Sequence, residues 1–121
     1  MENKKDELKD RSFKFSVNVI KFLLRLSKER IFWAIVDQLI RASTSIGANI
    51  IEAKAASSKK DFINFFQIAL KSANETLYWL YLLKETASLD TNEIDKLINE
   101  NKELSRILGA SLLTMKGKRS L

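Results

Sequence analysis

The sequence of 121 residues contains no histidine, no cysteine and no proline, and only three glycines. Because histidine and cysteine are both missing, a Ser-His-Asp or Cys-His nucleophile, a histidine–cysteine zinc site and a disulfide are all excluded. The missing proline and scarce glycine leave few residues that interrupt a helix. We therefore expect a helical protein that is not an enzyme and that holds no metal and no cofactor.

Composition and run length argue against a membrane protein. Hydrophobic residues make up 45% and charged residues 30% of the chain, a balance typical of a soluble globular fold. The longest unbroken apolar runs, Ile31–Val36 and Tyr78–Leu83, are far shorter than the roughly 20 residues of a membrane span. The start of the sequence is densely charged and lacks the apolar core of a signal peptide. We expect a cytoplasmic protein with no membrane partner.

Four amphipathic segments are separated by short polar breaks. They predict helices over residues 6–27, 29–55, 59–85 and 91–115, followed by a basic tail over residues 116–121. Ser58 is placed to cap the third helix, and Gly117 to end the fourth. With no strand-like alternation, the pattern predicts an all-α fold. We expect one domain over residues 1–121, an up-down-up-down four-helix bundle.

The two central helices have more apolar circumference than one bundle interior can cover. At 100° per residue, apolar side chains span about 200° of the second helix and about 220° of the third, against roughly 100° for one buried face. An exposed patch of this size usually marks an interface, so we predict a homo-oligomer. The alternative is that the loops and the basic ends of the chain cover the patch. The residues expected at the interface form an outer stripe on the second helix: Trp33, Val36, Ile40 and Ile51.

The net charge of +6 is concentrated at the two ends of the sequence. Residues 1–30 carry nine basic and five acidic side chains, residues 31–114 carry nine and ten, and residues 115–121 add three basic ones. On the first helix the basic residues fall within about 100° of arc with no acid among them, a pattern that can contact several phosphates along one line. The alternative is an ordinary solvated helix face. The predicted nucleic-acid contacts are Arg11, Lys14, Lys21, Arg25 and Lys28 on this helix, with Lys116, Lys118 and Arg119 in the tail.

A polar stripe runs along the second helix within about 80° of arc. A row of this kind commonly fixes the register of one helix against a neighbour, and the alternative is a ligand-binding row. Gly47 costs about 1 kcal/mol of helix propensity, which the close approach of another helix would offset. Glu75, on the third helix, lies at the edge of the apolar arc within reach of a basic partner. The stripe consists of Gln38, Arg41, Ser45, Asn49 and Glu52.

The two central helices also carry a spaced motif. Its elements are Gln-Leu-x-Arg, Ser-Ile-x-x-Asn-Ile-x-Glu, Asp-Phe, Ile-Ala and Glu-Thr-x-Tyr-Trp-Leu, in that order. In this the chain resembles the four-helix-bundle proteins first noticed in intervening sequences of bacterial large-subunit ribosomal RNA genes. The rest of the chain is compatible in length. The matching residues are Gln38, Leu39, Arg41, Ser45, Ile46, Asn49, Ile50, Glu52, Asp61, Phe62, Ile68, Ala69, Glu75, Thr76, Tyr78, Trp79 and Leu80.

The resemblance implies a four-helix protomer that assembles into a ring-like homopentamer. It also implies kinship with the accessory variability proteins of diversity-generating retroelements, which are basic pentameric bundles that bind a reverse transcriptase and its RNA. Together with the charge pattern, this predicts a non-enzymatic adaptor that binds RNA or DNA, or a nucleoprotein. The alternative is a protein–protein scaffold with no nucleic-acid role, on which the charges only confer solubility.

Overall fold

Four helices form the fold. The computed structural model describes residues 4–26, 30–87 and 91–117, with side chains described from residue 7 in the first range and from residue 33 in the second. The helices are α1 (Lys4–Leu24), α2 (Arg30–Lys54), α3 (Lys59–Thr86) and α4 (Thr91–Met115), and the described residues contain no strand. The predicted all-α class is confirmed. Within these residues, α1 and α3 each contact both α2 and α4.

The helix ends follow from local hydrogen bonding. Ser58 has an extended backbone, and its side chain accepts a hydrogen bond from the backbone amide of Asp61 at 3.1 Å, so the predicted cap of α3 is confirmed. The Asp61 carboxylate also lies in the first turn, where the helix dipole favours negative charge. At the end of α4, Gly117 adopts a φ of 70°, the left-handed conformation that glycine adopts without steric cost.

The first helix is shorter at its carboxyl end than the periodicity predicts. It ends at Leu24, not near residue 27. The amides of Arg25 and Leu26 bond back only three residues, to the carbonyls of Phe22 and Leu23, at 3.2 and 3.1 Å. This tighter turn completes the helix end by satisfying carbonyls that would otherwise lack a partner.

Every helix contributes fully buried apolar side chains to one core. Phe15 of α1, Leu39 of α2, Leu80 of α3 and Leu104 of α4 are all at most 1% exposed. Burial of such a side chain stabilises the fold by about 1.5–3 kcal/mol, so this shared core is the main source of cohesion among the helices.

Each helix also buries a polar side chain completely, namely Ser12, Ser43, Thr76 and Asn101. The three hydroxyl groups donate to carbonyls of their own helices, at 2.9, 3.3 and 2.7 Å, and so need no partner elsewhere. Asn101 is different, because its amide crosses to α3 and donates to the carbonyl of Ala73 at 2.9 Å. Its side-chain oxygen has no hydrogen-bond partner among the residues that the structure describes.

Gly47 faces α1 at a point where the two helices are in contact. A β-carbon built at this position would lie 3.2 Å from the Ser12 hydroxyl oxygen and 3.7 Å from the nearest Ser12 carbons. The first distance is tighter than an ordinary contact, whereas the second is not. The predicted close approach of a helix at Gly47 is therefore confirmed, and that helix is α1.

We predict that Gly47→Ala stabilises the protein more in a Ser12→Ala background than in the wild type. Alanine has about 1 kcal/mol more helix propensity than glycine, but the Ser12 hydroxyl must move to admit the new methyl group. Urea unfolding of the four variants, at one fixed protein concentration, measures this coupling. An equal effect of Gly47→Ala in both backgrounds would show that the hydroxyl imposes no constraint.

Candidate nucleic-acid interface

The basic residues of α1 divide into paired and unpaired groups. Arg11 donates two hydrogen bonds to the Glu100 carboxylate on α4, at 2.5 and 2.7 Å, and this bond is the main reason that the pKa of Arg11 is raised. Arg25, in the turn that follows α1, forms an ion pair with Glu93, also on α4. Lys14 and Lys21 are exposed, and no ion pair within the described residues involves either one.

The pairing changes what the basic face of α1 can do. Arg11 and Arg25 join this region to α4, and the carboxylates of Glu100 and Glu93 neutralise part of their charge. Lys14 and Lys21 lie seven residues, or about 10 Å, apart along the helix axis, and both point to solvent. They remain the part of this face with charge available for a phosphate backbone.

The predicted contacts near the chain end are only partly described. Lys116 is exposed and follows directly after α4, and its backbone amide donates to the carbonyl of Leu112 at 3.0 Å. Lys28, Lys118 and Arg119 lie outside the described residues.

The polar stripe of α2 faces α3 and bonds to it. Arg41 donates to Gln38 on its own helix and forms an ion pair with Glu75 on α3. The Glu75 carboxylate also accepts a hydrogen bond from the indole N–H of Trp79 at 2.9 Å. The prediction that Glu75 meets a basic partner is confirmed.

A second link joins the two helices one turn further along. The Ser72 hydroxyl donates to the Ser45 hydroxyl at 2.8 Å, and the Asn49 amide donates to both the carbonyl and the hydroxyl of Ser45. Glu52 is exposed, and no hydrogen bond within the described residues joins it to this row. Within the stripe, Arg41 and Ser45 bond directly to α3, whereas Gln38 and Asn49 support them from their own helix.

The remaining motif residues have local or packing roles. Thr76 is buried and donates to the carbonyl of Ser72. Phe62 is half-buried and stacks on Phe66, with ring centroids 4.7 Å apart. Tyr78 is 61% exposed and contacts the edge of Trp79. These three motif residues therefore bond or pack within α3, and Phe62 also lines an open cavity at one end of the bundle.

A large apolar surface lies on the outside of α1 and α2. Trp33 is 46% and Ile51 is 51% exposed, and Ile40 is half-buried, as expected for an outer stripe. On α1, Phe13 is 67% and Leu24 is 75% exposed. The α1 residues were not predicted, although Phe13, Val17, Ile20 and Leu24 follow helical spacing and thus gave a signal. We name this set, on both helices, the outer apolar surface.

The placement of Val36 in the outer stripe is wrong. Val36 is only 4% exposed and belongs to the core. On the helix it lies about 60° from Trp33, towards the bundle interior. Gly47, on the same edge of the stripe, is buried against Ser12 of α1. Part of the apparent surplus of apolar surface on α2 is therefore covered within the protomer.

The described residues contain neither a candidate membrane-spanning helix nor a candidate metal-binding cluster. No helix there is long and apolar enough to span a membrane. The same residues contain no group of three or more carboxylate side chains placed to hold a metal ion.

We predict that the stabilisation contributed by Glu75 disappears in acid. The Trp79 hydrogen bond, followed by the one from Arg41, lowers the pKa of Glu75 from its ordinary value of 4.5. A lowered pKa in the folded state means that the contribution is present above the unfolded-state pKa and is lost as the pH falls through the folded-state pKa. Glu75→Gln should thus destabilise the protein at neutral pH, by less than about 1 kcal/mol because the pair is partly exposed.

Urea unfolding of the wild type and Glu75→Gln at about pH 7 and about pH 3 tests this expectation. The difference in unfolding free energy should shrink at the lower pH. Trp79→Phe is the matched variant, since it keeps an aromatic ring but removes the N–H donor, and it should raise the pKa of Glu75. A difference that is independent of pH would contradict the assigned role.

Comparison with known proteins places this arrangement in a family. The sequence matches the 23S rRNA-intervening sequence protein family over residues 4–110. The fold is similar to the crystal structure of a protein with unknown function from the S23 ribosomal protein family of Bacteroides thetaiotaomicron VPI-5482, with a TM-score of 0.81 and 40% sequence identity. That similarity covers 91% of this chain and 98% of the other. No curated protein matches the chain. The chain belongs to the 23S rRNA-intervening sequence protein family.

Proposed function

We propose that this protein is a non-enzymatic, oligomeric adaptor that binds structured RNA, or a nucleoprotein, through the basic face of α1. The observation that supports this most directly is the exposure of Lys14 and Lys21, which have no ion pair within the described residues. Two cations on one helix face suit phosphate contacts, which position a protein on nucleic acid without reading its sequence. The absence of histidine and cysteine from the sequence supports a binding role over catalysis.

We further propose an up-down-up-down bundle as the protomer. The ion pairs between α1 and α4 support opposite directions for these helices, because Arg11 pairs with Glu100 whereas Arg25 pairs with the earlier residue Glu93. The short connections from α1 to α2 and from α2 to α3 suit antiparallel neighbours as well.

The proposed assembly is a ring-like homopentamer. The outer apolar surface lies on α1 and α2, and a second exposed set, Ile68, Tyr78 and Tyr81, lies on α3. Two different surfaces on one protomer allow head-to-tail contacts, which close into a ring when the rotation fits. Five copies of a weak basic face would then bind one RNA by avidity, with a gain of up to about 10²–10⁴ over a single copy. The resemblance to retroelement accessory proteins makes an RNA-bound reverse transcriptase one proposed partner.

A scaffold without nucleic-acid binding is the second candidate. It is favoured by the ion pairs of Arg11 and Arg25, because these two residues already have a structural role in the contact between α1 and α4. The two candidates differ in whether Lys14 and Lys21 contact a polyanion.

We predict that Lys14→Gln/Lys21→Gln weakens binding to an RNA hairpin and flattens its salt dependence. Each lysine that contacts a phosphate should contribute about one to the slope of log affinity against log salt, per protomer engaged. Fluorescence anisotropy with a labelled hairpin over a series of salt concentrations measures this slope. Lys71→Gln/Lys96→Gln removes two exposed lysines from α3 and α4, and should leave the slope near that of the wild type. A failure of the wild type to bind RNA or DNA at low salt would favour the scaffold.

We also predict that Phe13→Glu/Ile51→Glu yields a smaller species. Both side chains are more than half exposed in the protomer, so charges there should leave the fold intact but oppose burial in an interface. Sedimentation velocity at micromolar concentration measures the change, and Asn99→Glu, on the exposed side of α4, is the control. A wild-type protein that sediments as a monomer would overturn the proposed assembly.

A further inference from the structure

One end of the bundle holds an open cavity that is separate from the basic face of α1. It lies where α2 ends, α3 begins and α4 ends, and it has a volume of about 670 Å³. Lys54, Ser57, Lys59, Phe62 and Met115 are among its lining residues. The volume falls within the range typical of sites for small organic groups.

The walls of this end cavity are of two kinds. Lys54, Lys59 and Ser57 are exposed and supply cationic and hydroxyl groups at the rim. Phe62 and Met115 are half-buried and supply an aromatic ring and a thioether. The Phe62 ring is held by stacking on Phe66, with an angle of 28° between the ring planes. A fixed aromatic ring beside cations suits a ligand with both a flat apolar part and a negative charge.

The cationic rim continues beyond the end cavity. A neighbouring depression of about 520 Å³ shares Lys59 and adds Lys60, Asn64 and Gln67. Asp61 is the one carboxylate among the described residues that line these two hollows. The chain therefore offers a path of lysines that leads away from the aromatic ring, as a phosphate backbone would require.

We infer that the end cavity binds an unpaired nucleotide of single-stranded RNA, with the base against Phe62 and Met115 and the flanking phosphates near Lys59 and Lys60. Unpaired bases stack on aromatic side chains while cations follow the backbone, whereas a base within a duplex is not available for such a contact. The inference rests on the proposed RNA-binding function and extends it to a second surface, to which no described residue of α1 contributes, and to a different RNA structure.

Photo-crosslinking with a short oligouridine that carries 5-iodouracil tests this inference. The full-length protein should crosslink within the tryptic peptide Asp61–Lys71, at Phe62, as read by tandem mass spectrometry. Phe62→Leu should abolish that crosslink and weaken oligouridine binding about tenfold, since stacking on an aromatic ring contributes this order of affinity per base. Phe65→Leu is the matched control, because Phe65 is also half-buried on α3 but does not line the cavity.

The outcomes separate the two RNA surfaces. Equal effects of Phe62→Leu and Phe65→Leu, or crosslinks confined to α1, would overturn the end-cavity site and leave hairpin binding through Lys14 and Lys21 intact. A loss of oligouridine binding in Phe62→Leu with unchanged hairpin binding supports the site. If the hairpin fails to bind while oligouridine binds and crosslinks at Phe62, the α1 proposal is wrong and the end cavity stands.

Discussion

The hydrogen bond between the hydroxyl groups of Ser45 and Ser72 ties α2 to α3 in one longitudinal register. Both side chains are small, and their hydroxyl oxygens lie 2.8 Å apart. On one side of this bond, Arg41 meets Glu75, which Trp79 also holds. Because Ser72 and Arg41 both donate across the contact, a shift of one turn would leave these two cross-helix bonds unmade. The core packing of the two central helices depends on this register.

The basic residues in and next to α1 have two roles, intramolecular ion pairing and exposure to solvent, and the two kinds are interspersed along the sequence. Arg11 and Arg25 join α1 to α4, whereas Lys14 and Lys21 on the same helix face stay in solvent. Arginine suits the first role because its planar guanidinium can bind a carboxylate through two parallel hydrogen bonds, as Arg11 does. The division between arginine and lysine on α1 thus follows the division between intramolecular contacts and the proposed RNA surface.

The features that the sequence predicts well are those that depend on neighbouring residues. The helices themselves and the ends marked by Ser58 and Gly117 follow from periodicity and capping, and two residues of the α2 stripe, Arg41 and Ser45, bond to α3. The ion pair between Arg11 and Glu100 joins residues 89 positions apart in the sequence. It depends on the rotation of α4 about its own axis, which a local sequence pattern cannot predict. The burial of Val36 has the same origin, because the packing of the core decides which edge of the α2 stripe is covered, as α1 does at Gly47. The candidate RNA-binding residues could be named from charge alone. Which of them form ion pairs depends on the packing of α1 against α4, which only the structure shows.

The buried amide of Asn101 limits how α4 can shift along its axis relative to α3. Its neighbours along the inner seam, Ile94, Leu97, Leu104 and Leu108, are all apolar, so a displacement by two helical turns would still bring hydrophobic groups opposite one another. The single amide removes this degeneracy, because only one alignment places its N–H beside the Ala73 carbonyl. The bundle therefore has one favoured longitudinal alignment where a uniform leucine seam would tolerate several.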